Sequence, residues 1–236
     1  MKNSTMVGIT LSAILSFLGC VFLLKSENKS FTPKIIVKKE EYKTDLLITF
    51  LGVIGITYLG NFALSIVLII CYLAITKDFK KSILVKESKE ISISTFFLNT
   101  STFIKFWPII FMASIFSSHI FSEYAPQDVV TSLKKSGAVK QAGIIISALI
   151  FAPLVEEIIF RRFFYKALKY RFGILVSATF SSMIFAFIHF NVSSFFVLFL
   201  VGVFLCYSYE KYGTILVPIL FHIVFNLVMI LLILSE

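Results

Sequence analysis

Six side chains in the C-terminal half of this sequence have types and spacings suited to joint chemistry: Glu156, Glu157, Arg161, His189, His222 and Asn226. The two acids are adjacent and close a long apolar segment, in the run from Pro153 to Arg162. Ionisable groups near hydrocarbon depth are costly and are found there with a partner or a function. On a helix, Glu157 and Arg161 are i and i+4 and share a face, where they can pair. Glu156 is turned from Glu157 by about 100° and looks elsewhere. His189 ends the apolar run 183–190, and His222 and Asn226 are again i and i+4 on one face of an apolar segment. The third histidine, His119, sits near the end of its own apolar run and reads as an interfacial polar residue.

A carboxylate beside an imidazole can activate a water. A second imidazole and an amide can donate hydrogen bonds to a developing oxyanion. Together these parts describe amide hydrolysis. No Gly-x-Ser-x-Gly is present, so serine chemistry is not indicated. His-Glu-x-x-His is absent too, yet Glu156, His189 and His222 make a two-His, one-carboxylate set that could hold Zn²⁺. The sequence alone leaves a metal-bound water and a glutamate-activated water both open.

The elements that must position these groups are membrane helices. Hydrophobic residues are 58% of the chain and mean hydropathy is +0.95, far above what a soluble domain needs. The apolar runs are long and well separated, as in helices and unlike barrel strands. We expect an all-α, polytopic membrane helical bundle of about seven transmembrane helices, at roughly 6–24, 46–75, 106–121, 142–160, 173–190, 195–209 and 215–234. The catalytic cavity is expected among the last four. The first run reads as a retained helix and not a signal peptide. Trp107-Pro108 reads as a helix start, and residues 122–140 as a polar connector. If the spans around Gly173 form an antiparallel hairpin, Glu157 and His189 are each sixteen residues from the turn. Both then lie about 24 Å from it, at one level. Ala178, Ser182 and Ala186 form a small-residue stripe suited to close helix contact.

The net charge of +9 comes from cations between apolar runs, which fits anionic lipid and the positive-inside bias. Without a soluble basic domain, nucleic acid is not an expected partner; membrane lipid is. Arg161, Arg162, Lys166, Lys169 and Arg171 read as an acid-free cytoplasmic loop. Cys20, Cys71 and Cys206 suggest neither a disulfide framework nor a metal knuckle. A small transporter using Glu156 and His189 as a relay is a poorer reading, because no internal repeat is visible.

In order on successive apolar segments, Glu156-Glu157-x-x-x-Arg161, Phe185-x-x-x-His189 and His222-x-x-x-Asn226 resemble the three signature motifs of the CPBP family. That family comprises CAAX prenyl endopeptidase 2 type proteases and bacterial abortive-infection or bacteriocin-processing proteins. The resemblance covers roughly residues 140–236, leaving 1–139 as N-terminal membrane helices and connectors. It implies an intramembrane endopeptidase in which Glu156 is the principal acid/base. His189 orients or activates the water, His222 and Asn226 form the oxyanion site, and Glu157 and Arg161 support it. Family members are described both as metalloproteases and as metal-free glutamate proteases. The metal-free form is favoured here, because an asparagine beside His222 suits an oxyanion site better than a ligand sphere. The expected substrate is a peptide or membrane protein, and the expected place a bacterial plasma membrane. The expected role is peptide or bacteriocin processing, self-immunity or membrane signalling. The alternative is a non-catalytic immunity or regulatory protein that binds a bacteriocin or sensor.

Overall fold

The computed structural model describes residues 93–121 and 128–235, with Ile35, Asp45, Thr49 and Gly52 besides. Among these, every regular element is helical. Two short helices, α2 (Asp128–Lys135) and α3 (Ala138–Ile146), follow the long α1 (Ile93–Ile120). The chain then widens into a π segment, Ser147–Phe151, tightens through α4 (Ala152–Glu157), and widens again over Ile158–Tyr165. Helix α5 (Lys166–Phe187), α6 (Val192–Tyr212) and α7 (Leu216–Ser235) complete it.

Among the described residues, three helical stretches are long and apolar enough to cross a membrane: 138–187, 192–212 and 216–234. The first spans 50 residues but breaks at Gly173, where φ is 73° and ψ −177°. That region is essentially closed to residues with a Cβ. Beyond it the chain folds back along itself. The Ser181 hydroxyl donates to the Phe160 carbonyl at 3.1 Å, and the rings of Phe160 and Phe185 meet edge to face at 5.4 Å. The antiparallel hairpin expected around Gly173 is therefore present.

Helix α6 runs through the middle of the bundle. Asn191 caps its start, Oδ1 accepting from the Ser194 amide at 3.0 Å, and Gly213 ends it in the left-handed region. Against α5, α6 presents Gly202, where an added Cβ would lie 2.8 Å from Ser182 Cβ and 3.0 Å from Ser182 Cα. Small residues on both helices let the backbones meet, as they do where lipid supplies no hydrophobic drive. Against α1, Phe204 stacks on Phe106 at 4.7 Å, and the Ser117 hydroxyl donates to the Ser193 carbonyl. Phe204 also meets Phe221 of α7 at 5.2 Å.

The structure corrects several expectations. The run 161–171 is not a loop: it stays helical up to Gly173, and Arg161, Arg162 and Lys166 are buried. Internal acids make solvent unnecessary for two of these cations, Arg161 pairing with Glu157 and Lys166 with Asp45. Pro108 lies inside α1 and does not start it, and the 122–140 connector contains α2 and the start of α3. The expected spans at 6–24 and 46–75 lie outside the described residues, apart from Thr49 and Gly52.

Candidate active site

The site is built from four stretches: α4 with the π segment after it, the π segment before it, the end of α5, and α7. Glu157 is fully buried and its Oε1 accepts from Arg161 Nη1 at 2.7 Å. The same oxygen is 2.9 Å from His222 Nδ1. A carboxylate held by a guanidinium acts as an acceptor, so Nδ1 carries the proton and donates. His222 is therefore held with Nδ1 as the donor, and its Nε2 points to the other acid. Glu156 Oε2 lies 3.7 Å from Nε2, too far for a direct hydrogen bond and a span that one water can bridge. Both acids are buried, Glu156 at 6% exposure and Glu157 at 0%.

Phe185, fully buried, organises the cations and imidazoles around it. Arg161 Cζ lies 4.4 Å from its ring centroid, a cation–π contact in a water-poor setting. His222 meets the ring edge to face at 5.8 Å and His189 does so at 5.0 Å. His189 Nδ1 is 2.8 Å from the Phe185 carbonyl. A carbonyl only accepts, so this nitrogen donates and Nε2 is left available. Among the described residues, His189 joins the cluster through Phe185 and has neither carboxylate within hydrogen-bonding reach. Asn226, one turn beyond His222, donates Nδ2–H to the Ala148 carbonyl at 2.8 Å. That leaves a second amide hydrogen and Oδ1. His119 is exposed on the last turn of α1, apart from this group.

The Zn²⁺ set raised by the sequence is Glu156, His189 and His222. Among the described residues, no group of three His, Cys, Asp or Glu side chains is placed to hold a metal. Glu156 and His222 face each other, and His189 donates Nδ1–H to the Phe185 carbonyl, which leaves its Nε2 available.

Sequence reasoning did not foresee three features. The direct contact of His222 with Glu157 joins residues 65 apart, and no local pattern announces it. The two π segments each give a backbone carbonyl to another helix, Ala148 to Asn226 and Phe160 to Ser181. The third is a second buried polar group one layer further along. Tyr165 Oη donates to Glu210 Oε1 at 2.9 Å, and Lys169 Nζ reaches the same oxygen at 2.5 Å and the Ile35 carbonyl at 2.8 Å. A signal for it existed: Glu157, Arg161, Tyr165 and Lys169 follow each other at four-residue steps.

Residues 138–228 match the family model described as type II CAAX prenyl endopeptidase Rce1-like. The match contains all six candidate residues. Neither the curated proteins nor the solved structures contain a match to the chain.

Proposed function

We propose, starting from a C-terminal segment that matches the type II CAAX prenyl endopeptidase Rce1-like family, that this protein is an intramembrane endopeptidase hydrolysing peptide bonds with a water activated by Glu156. The observation that carries the reading is the 3.7 Å gap between Glu156 Oε2 and His222 Nε2, with the opposite nitrogen of His222 held by Glu157.

In this mechanism, a water between the two groups gives its proton to the Glu156 carboxylate as its oxygen attacks the scissile carbonyl. The developing oxyanion is met by donors on α7, the second Nδ2–H of Asn226 and a protonated Nε2 of His222. Protonated Glu156 then returns the proton to the leaving amine, and the carbon–nitrogen bond breaks. His189 offers its free Nε2 from the Phe185 side and orients the water or the substrate. Glu157 and Arg161 hold His222 and do not react. We favour the metal-free form, because an asparagine beside His222 suits an oxyanion site better than a ligand sphere. The substrate class is a peptide or membrane protein with a bond at the depth of the site. A bacterial membrane and a role in peptide processing or self-immunity fit the composition.

Peptidomics of membranes carrying the wild-type protein or Glu156→Gln tests this. A peptide that is present with wild type and lost with the variant supports hydrolysis and names the substrate. Indistinguishable peptide sets for wild type, Glu156→Gln and His189→Ala would sink it in favour of a non-catalytic binding protein. Activity on that peptide after exhaustive chelation supports the metal-free form, and one equivalent of zinc in the purified active protein rejects it.

A further inference from the structure

The backbone around Pro153 shows an arrangement that the hydrolytic reading does not use. The Ala152 amide donates to the Ser147 carbonyl, a five-residue step. The next donor in that step is residue 153, and the next acceptor is Ala148. Residue 153 is a proline and has no amide hydrogen. The Ala148 carbonyl, half-buried in an apolar segment, therefore lacks its backbone donor. Asn226 Nδ2 reaches it at 2.8 Å from α7. One turn earlier on α7, His222 Nδ1 reaches Glu157 at 2.9 Å.

We infer that Pro153 and Asn226 work as one positioning device: the proline vacates a carbonyl, and the asparagine fills it and sets the register of α7 so that His222 meets Glu157. Helix α7 is apolar along its length, and apolar packing alone resists axial sliding weakly. Two polar anchors one turn apart fix both its height and its rotation. The anchored residues, Ala148 and Glu157, lie on either side of Pro153. A proline that opens the winding thus creates the acceptor that locks the neighbouring helix.

The value of this device for catalysis rests on the hydrolytic reading, but its test reads structure alone. The full chain in detergent micelles is compared as wild type, Asn226→Leu, and Asn226→Leu with Pro153→Ala. Thermal unfolding and the ¹⁵N spectrum of histidine-labelled protein are the readouts. Asn226→Leu orphans the carbonyl and should lower Tm by about 2–4 °C, the shift for one lost, partly buried hydrogen bond in a chain this size. It should also move the His222 Nδ1 signal. Pro153→Ala in that background supplies an amide hydrogen and should restore most of the lost Tm while the His222 signal stays displaced. If Asn226→Leu fails to accumulate, accumulation of the double variant supports the device and its absence overturns it. No recovery of Tm in the double variant, or an unmoved His222 signal in Asn226→Leu, also overturns it. A failed protease assay bears on neither readout.

Discussion

Glu156 and Glu157 are neighbours in sequence and differ in almost every physical respect. Glu157 is sealed and accepts from Arg161 and His222, whereas Glu156 faces His222 across a gap. Substitutions at the two positions should therefore separate function from fold. Glu156→Gln is expected to abolish peptide cleavage and leave Tm within about 2 °C of wild type, since no direct hydrogen bond is lost. Glu157→Ala strands a buried guanidinium, a loss on the order of 3–5 kcal/mol. Its Tm should fall by roughly 10 °C or the protein should fail to accumulate. Thermal melts in micelles with a matched cleavage assay decide this. Equal Tm losses in the two variants would show that the division of labour is wrong.

Helix-level features divide into those the residues announce and those they hide. Gly173 is of the first kind. A lone glycine between two apolar runs, with Glu157 and His189 balanced about it, is enough to expect a hairpin. Arg161 and Phe185, each twelve residues from it (173 − 161 and 185 − 173), do meet. At φ 73° and ψ −177°, Gly173→Ala should cost about 1–3 kcal/mol, visible as a fall in Tm of several degrees. No fall would mean that the turn tolerates a side chain. The pairing of Glu157 with Arg161 was legible for the same reason, because i and i+4 neighbours meet on almost any helical winding. The stripe around Ser182 was visible too, although its partner Gly202 was not. The π segments were hidden, since widening by one residue leaves no mark on hydropathy. Burial of Lys166 and Arg162 was hidden as well. A run of cations looks the same whether it faces water or internal acids, and the partner Asp45 lies more than a hundred residues upstream.

On the scale of the whole molecule, the site belongs to more than the 138–228 segment. Phe106, Ile110 and Ala113 of α1 share one core with Val201 and Phe204 of α6 and with Phe221 and Phe225 of α7. Ile35 and Asp45 take contacts from Lys169 and Lys166. A fragment of residues 138–236 should therefore lose the fixed packing of α6 and α7, with weakened near-ultraviolet dichroism and no cooperative melt. A cooperative melt near the full-length Tm would show the segment to be self-sufficient. The turn at Gly173 also dictates sidedness. Gly173 is exposed at one tip of the hairpin, and Phe190 is exposed where its second leg ends. Seventeen residues separate them, about 25 Å along a helix, close to the thickness of the hydrocarbon layer. Single cysteines at these two positions, in a chain freed of its own thiols, should react with a membrane-impermeant reagent from opposite compartments. A polypeptide that crosses and returns delivers the chain to the compartment it left, so cysteines just before Ala138 and at the start of α6 should react from one and the same compartment, opposite to that of Gly173.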